Sequence, residues 1–356
     1  MRLLLLLLLL APAASANMAN PVQPGTPAGE PSAALDGLRI AREALTLDLR
    51  PLGLARRYGI VEAEYRIVNR GEARTLPLDF LALGDDIGQP EVWLDEQPVT
   101  ARMVDSLAVP ASWRSATQTP ALDGDAAPYE ADETLGTPTG LRFEVTIPPG
   151  QHSIRVAYRV LLGSYDSGEH PNRIWQLAYS LAPARLWAGF DVLEVAVLAP
   201  PDWEVATSLP LREEAGALTG RFRGVPGDIL AVSVRAPTPA LVVPFRIAAL
   251  VVPMAILLFI GFLGGRLVAR TTRSHWAALP GSFLAAVVAT VARIALVATG
   301  ADLGDSAAHG YGALMGGIFF GSPLTLLGGL VIAQAVAAWQ VRVRRSGSAS
   351  GRASHP

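Results

Sequence analysis

Apolar residues follow three rhythms along the chain. A compact leucine run occupies residues 3–10, an alternation of period two governs much of 38–237, and long uncharged stretches begin near Val242. The alternation is clearest at Leu45, Leu47 and Leu49, interleaved with Thr46, Asp48 and Arg50. It recurs at Val61, Ala63, Tyr65 and Ile67, interleaved with Glu62, Glu64 and Arg66, and Asn69-Arg70-Gly71 follows as a turn. A period of two sets one side of a strand against a core and the other in water. The runs Phe143–Ile147 and Ile154–Val160, separated by Pro148-Pro149-Gly150, predict a hairpin. Further strands are expected at 76–83, 91–95, 99–104, 174–181, 190–198, 217–223 and 229–235. Short strands punctuated by Pro and Gly, with no helical periodicity between them, predict an all-β region, an antiparallel immunoglobulin-like sandwich. Residues 38–237 fit one large sandwich or two small modules with a seam at Gly163–Asn172.

Two stretches interrupt the alternation. Residues 17–37 are rich in Pro, Ala and Gly and read as a flexible linker. Residues 105–140 carry Asp105, Asp123, Asp125, Glu130, Asp132 and Glu133 against Arg114 alone. A connection this long is uncommon, and its composition predicts a solvated excursion.

The leucine run behind Arg2 is broken by Pro12 and followed by Ala14-Ser15-Ala16, small residues suited to a cleavage site. Residues 1–16 therefore read as a signal peptide, too short to cross a bilayer. Three longer runs follow. The first lies within 241–265 and is uncharged from Ile247 to Gly265; the second spans 277–300 and contains Arg293; the third spans 313–341 and ends beside Trp339. At about 1.5 Å of rise per residue, such runs match a hydrocarbon core of ~30 Å. Loop charges orient them. Residues 266–276 hold Arg266, Arg270 and Arg273 without an acid, and 301–312 hold Asp302 and Asp305 without an arginine. The tail 342–356 holds Arg342, Arg344, Arg345 and Arg352. Positive loops stay cytoplasmic. The expected topology is an exported β region, three transmembrane helices and an inside C-terminus in a bacterial plasma (inner) membrane.

Composition sharpens this picture. The net charge is only −2, yet 29 acids face 19 arginines between Asn17 and Thr238, while beyond Thr238 nine arginines face two acids. An acidic exterior lacks the basic footprint of a nucleic-acid binder. All 29 basic residues are Arg, which excludes a lysine Schiff base or a P-loop lysine. The chain has no Cys, which excludes a lipoprotein anchor, thiol catalysis and disulfides. None of Asn17, Asn20, Asn69 and Asn172 begins a glycosylation sequon, in keeping with a bacterial source.

Candidate chemistry is sparse. Asp166, Glu169 and His170 share a polar loop, where two carboxylates and an imidazole have the makings of a metal half-site or an acid–base pair. An ordinary polar loop is the plainer account, since Gly168 and Pro171 mark one and His152 is isolated. Asp123-Gly-Asp125 lacks the rest of a calcium loop. No metal and no cofactor is expected. Arg246 and Arg293 stand out because a guanidinium is costly within an apolar span. Asp302, Asp305 and His309 lie in the nearby loop as partners, and snorkelling is the plainer account. Gly261 with Gly265, Gly312 with Gly316, and Gly317 with Gly321 form three Gly-x-x-x-Gly pairs, which let helices approach closely. Pro253 and Pro323 are expected to kink their helices.

The segment from Tyr179 through Trp187 to Phe190, with Leu193-Glu-Val-Ala-Val197 and Pro200-Pro-Asp-Trp203, resembles a pattern in uncharacterised bacterial exported, membrane-anchored β-domain proteins. That resemblance implies a fold and brings no activity. The leading expectation is a non-catalytic envelope protein whose tethered β domain binds or organises a protein partner. A subunit of a transport or sensing complex built on the intramembrane arginines comes second, and a metal-dependent or acid–base hydrolase third.

Overall fold

A computed structural model describes residues 22–23, 28–29, 35–54, 56–81, 90–104, 116–122, 124–129, 140–166, 170–271, 277, 279–304 and 322–350. Among them the first strands are β1 (Val22–Gln23), β2 (Ala28–Gly29), β3 (Leu35–Asp48), β4 (Tyr58–Asn69) and β5 (Arg74–Leu81). Then come β6 (Glu91–Leu94), β7 (Gln97–Pro98), β8 (Ala101–Val104), β9 (Gln118–Thr119), β10 (Ala127–Pro128), β11 (Gly140–Ile147) and β12 (Gly150–Leu161). The last are β13 (Gly163–Tyr165), β14 (Ile174–Ser180), β15 (Trp187–Phe190), β16 (Val192–Leu198), β17 (Glu204–Thr207), β18 (Arg212–Glu214), β19 (Ala217–Arg223) and β20 (Ile229–Arg235). Three helices follow: α1 (Val242–Thr271), α2 (Leu279–Asp302) and α3 (Ser322–Ser350).

The alternation in the sequence becomes the core. Burial alternates strictly along β4, and Val61, Ala63, Tyr65 and Ile67 are all inside. In β3 the inward set changes from Leu38 and Ile40 to Glu43, Leu45 and Leu47, because a bulge between Ile40 and Arg42 shifts the register by one. A nine-stranded sheet runs in the order β18-β19-β16-β3-β4-β12-β6-β7, with β15 also on β3. A second sheet runs β1-β13-β14-β20-β17, with β2 on β14. One hydrophobic cluster joins them, with Leu47, Ile67 and Val160 from the first sheet and Leu177, Tyr179 and Val232 from the second.

The antiparallel pairing expected from the sequence holds for most strand pairs but not all. Strand β3 pairs in parallel with β15 and β16, and β14 pairs in parallel with β2. The hairpin expected at 143–160 is also corrected. Strand β11 pairs with β5 and β8 in a three-stranded sheet, whereas β12 pairs with β4 and β6 in the large one. Pro148-Pro149 is therefore a corner. The β4–β5 and β11–β12 segments form one long ribbon that bends there, with Gly150 opposite Asn69 and Ile147 opposite Arg74. Asn69 fixes the bend. Its amide nitrogen donates to the carbonyls of Glu72 (2.8 Å) and Ile147 (2.9 Å), and its Oδ1 accepts from the Gly71 amide (2.9 Å).

Part of the acidic 105–140 segment packs rather than extends into solvent. Strands β9 and β10 form a small ribbon across the outer face of β14 and β20. Gln176 donates to Thr119 Oγ1 (2.6 Å) and to the Pro128 carbonyl (2.9 Å), and Ser233 donates to Thr119 Oγ1 (2.8 Å). Thr119, Gln176 and Ser233 are buried, as is Tyr129, whose hydroxyl is pushed well above its ordinary pKa by that burial.

Two helices are long and apolar enough to cross a membrane, over Val242–Val268 and Leu279–Gly300. Of the third expected span, 313–341, residues 313–321 lie outside the described residues, and the apolar stretch described in α3, Thr325–Gln340, is shorter than the other two. Beyond it α3 carries Arg342, Arg344 and Arg345 and then Ser and Gly residues. The three helices pack around small side chains: Ala285, Ala286, Ala289 and Ala333 are buried with Leu257. Their outer surface is apolar, with Leu250 71%, Phe259 64% and Val331 68% exposed. Residues 1–16, expected to be a signal peptide, and most of 17–37, expected to be a linker, lie outside the described residues.

Candidate functional site at the junction of sheets and helices

Strand β20 ends at Arg235, and the chain reaches α1 within seven residues. The loop following β13 closes over this short connection. Asn172, buried, donates its amide nitrogen to the carbonyls of Ala236 (3.1 Å) and Pro237 (2.9 Å). His170 is held between two partners: its Nδ1 accepts from the Asn172 amide (3.3 Å), and its Nε2 faces Thr238 Oγ1 (3.3 Å). Asp166 is buried at the start of the same loop. Just past α2, Gly304 lies so close to the Pro171 carbonyl that a Cβ there would overlap it. The loop thus touches both the entry to α1 and the exit of α2, so the sheets sit on the helices through a packed joint.

The nine-stranded sheet presents a separate feature on its outward face. A groove of about 650 Å³ is floored by Ala44, Thr46, Ala196 and Thr219 and rimmed by Glu194 and Arg221. Small residues on three adjacent strands leave the space. Beside it, the missing side chain of Gly220 makes room for Leu211 and Phe222, which a Cβ there would meet. At the rim Glu194 accepts from Arg42 Nε (2.9 Å) and lies 3.6 Å from Arg221. Edge strand β18, alongside, is fully exposed and carries Arg212, Glu213 and Glu214.

Inside the helical unit, α2 and α3 are joined by two polar contacts. Arg293 Nη1 donates to Thr325 Oγ1 (2.7 Å), and Ser282 donates to Gln334 Oε1 (3.0 Å). The first engages a charge that the sequence singled out, in a hydrogen bond to the neighbouring helix. Gly261 faces α3 directly, where a Cβ would stand 3.0 Å from the Ala333 Cα. Gly300 against Phe245 and Gly329 against Leu257 make equally close approaches outside the Gly-x-x-x-Gly spacing.

The remaining sequence candidates divide. Arg246 lies in the second turn of α1, Gly265 lies in the same helix, and Asp302 ends α2. Glu169, Asp305, His309, Gly312, Gly316, Gly317 and Gly321 lie outside the described residues. His152, isolated in the sequence, is not isolated in space. Its Nδ1 lies 2.6 Å from Asp95 Oδ2, and Asp95 Oδ1 accepts from the Ser153 amide (2.8 Å). Burial raises the Asp95 pKa, but the bonds from His152 and Ser153 prevail and hold it below the ordinary carboxylate value. Asp95 and Glu96 have φ of 48° and 66°, the left-handed pair of a two-residue turn between β6 and β7. Among the described residues, no group of three or more His, Asp or Glu side chains is placed to hold a metal ion.

No protein-family model and no curated protein matches the chain. Solved structures with a partial likeness include a nutrient-binding protein, so described provisionally, from Legionella pneumophila. It is 12% identical, with a TM-score of 0.41, over 60% of this chain and 72% of that one. Yeast LTA4 hydrolase in complex with bestatin is 11% identical, with a TM-score of 0.34, over 56% of this chain and 29% of that one. An M1 zinc metallopeptidase from Deinococcus radiodurans is 16% identical, with a TM-score of 0.29, over 55% of this chain and 42% of that one.

Proposed function

We propose that this chain is a non-catalytic protein of the bacterial plasma membrane whose sheet domain, held outside on three helices, binds and organises a protein partner. The apolar outer surface of the helices supports the anchor: Leu250, Phe259 and Val331 face outward while alanines fill the interior. Such a surface is costly in water and suited to lipid. On this reading the run from Ala313 to Val341 supplies the third span, residues 1–16 are removed as a signal peptide, and 266–276 and 342–356 are cytoplasmic.

The observation that carries partner binding is the groove on the open sheet face. A mixed Arg/Glu rim around small, uncharged residues offers shape and charge complementarity to another protein surface. A photo-crosslinking residue placed at Thr46 is expected to give one reproducible adduct in intact cells. The same probe at Arg70, just past the end of β4 remote from Thr46, gives none, and Ala196→Trp, which fills the groove, abolishes the Thr46 adduct. Identical patterns from Thr46 and Arg70 would rule the groove out.

A second reading rests on Arg293. A guanidinium bonded across two apolar helices is a costly feature for an anchor to retain, and it favours a subunit of a transport or sensing complex. Arg293→Leu then inserts at the normal level and loses the complex on native gels. An unchanged complex would return Arg293 to helix packing alone.

A further inference from the structure

We infer that the turn Arg50–Leu54, with Arg56 and Arg57 following it, is a second point of membrane contact, seated on the phospholipid headgroups of the leaflet beneath the sheet domain; this rests on the anchored reading above. The first observation is Leu54. Among the described residues of the sheet domain it is the one large apolar side chain that is mostly exposed, at 68%; the other exposed large apolar residues begin at Leu241. The turn that presents it is well held. Leu52 beside it is buried, the Leu52 amide donates to the Leu49 carbonyl, and Gly53 packs on Pro200. Leu54 is therefore displayed by a fixed turn rather than left over from a loose one.

The second observation is where this turn sits. Strands β17 and β20 are antiparallel, with Glu204 opposite Arg235, so Pro200–Trp203 projects at the same end of the sheets as the exit to α1. Gly53 packs against Pro200 at that end, and Asn172 and Pro171 meet the helices there as well. The third is charge. Arg50, Arg56 and Arg57 lie within four residues of Leu54 in the chain, all exposed, in a domain that is acidic overall. Arg50 is bound to Asp48, Arg56 Nη1 donates to the Tyr58 hydroxyl (2.6 Å), and Arg57 Nε donates to the Leu162 carbonyl (3.0 Å). An apolar side chain flanked by arginines is the composition of an interfacial anchor, in which the leucine enters the acyl boundary and the guanidinium groups bond lipid phosphates.

The chain has no cysteine, so single-cysteine probes report cleanly. Leu54→Cys, Arg70→Cys and Leu250→Cys are each labelled with an environment-sensitive fluorophore in the full chain, in nanodiscs of phosphatidylethanolamine and phosphatidylglycerol. Spin-labelled lipid is expected to quench the Leu54 probe several-fold more than the Arg70 probe, with a blue-shifted emission, and to quench the Leu250 probe fully. A quenched Leu250 probe with Leu54 no different from Arg70 overturns the contact and leaves the anchor standing. An unquenched Leu250 probe overturns both.

Discussion

Asn69→Ala is expected to destabilise the sheet domain by about 2–4 kcal/mol, one of the largest single effects available outside the apolar core. The side chain is buried and makes three hydrogen bonds where the β4–β5 and β11–β12 ribbon bends. Alanine leaves the Ile147 and Glu72 carbonyls and the Gly71 amide without those partners. Ile147 itself is fully buried, so water does not readily substitute at its carbonyl. Asn69→Asp discriminates further. It keeps the acceptor for Gly71 but points a carboxylate at two carbonyl oxygens, so at neutral pH it should be at least as damaging as alanine. Arg70→Ala, at an exposed position in the same turn, should change stability by less than about 0.5 kcal/mol. Guanidinium unfolding of the full chain in mild detergent, followed by tryptophan fluorescence, ranks the variants. A midpoint for Asn69→Asp equal to that of the unsubstituted chain would show that the corner does not depend on these bonds.

That corner also marks where the sequence stops being informative. Alternation located most of the strands and the inward residues of β4, because a half-buried strand carries its period locally. It did not decide which strands pair. Two alternating runs joined by Pro-Pro-Gly fit a hairpin and a bend between sheets equally well, and the choice is made by Asn69, 78 residues from Ile147 in the chain. The parallel pairing of β3 with β16 left no local trace, since its partners Glu43 and Leu193 are remote from one another. The ribbon at 118–128 was hidden by composition. Its attachment to Gln176 and Ser233 is polar, so nothing in the apolar pattern announced it.

The candidate site was legible as a place and not as a role. The polar loop at 166–170 was singled out for its titratable groups, yet the residue that fastens it to the helices is Asn172, which in sequence is one more loop asparagine. Likewise His152 had no sequence neighbour to suggest a partner, because Asp95 lies 57 residues away. In the helices, Gly-x-x-x-Gly spacing found Gly261 but not Gly300 or Gly329. Which glycine faces a neighbour depends on helix rotation, and motif spacing carries no information about rotation.

Rotation is what the second large prediction tests. Gly261→Leu is expected to separate α1 from α3, whereas Gly264→Leu, nearly one turn further along the same helix, should be tolerated. A Cβ at Gly261 would stand 3.0 Å from the Ala333 Cα and 3.1 Å from its carbonyl oxygen, and backbone cannot rotate aside as a side chain can. Gly264 has nothing within 4 Å of the same built position. The loss should spread, since Leu257, one turn from Gly261, packs on Gly329 of α3, and both belong to the contact that includes Ala286. Overpacking a tight contact costs about 1–3 kcal/mol. On the anchored reading proposed above, no hydrophobic term between helices in lipid restores the association, so close packing carries most of it. The measurement is the SDS mole fraction at half-loss of helical ellipticity in mixed micelles, with Asn69-dependent unfolding of the sheets as an internal reference that should not move. Gly261→Leu shifts the helical midpoint downward and Gly264→Leu leaves it in place. Equal shifts for the two would mean that α1 does not present Gly261 to α3.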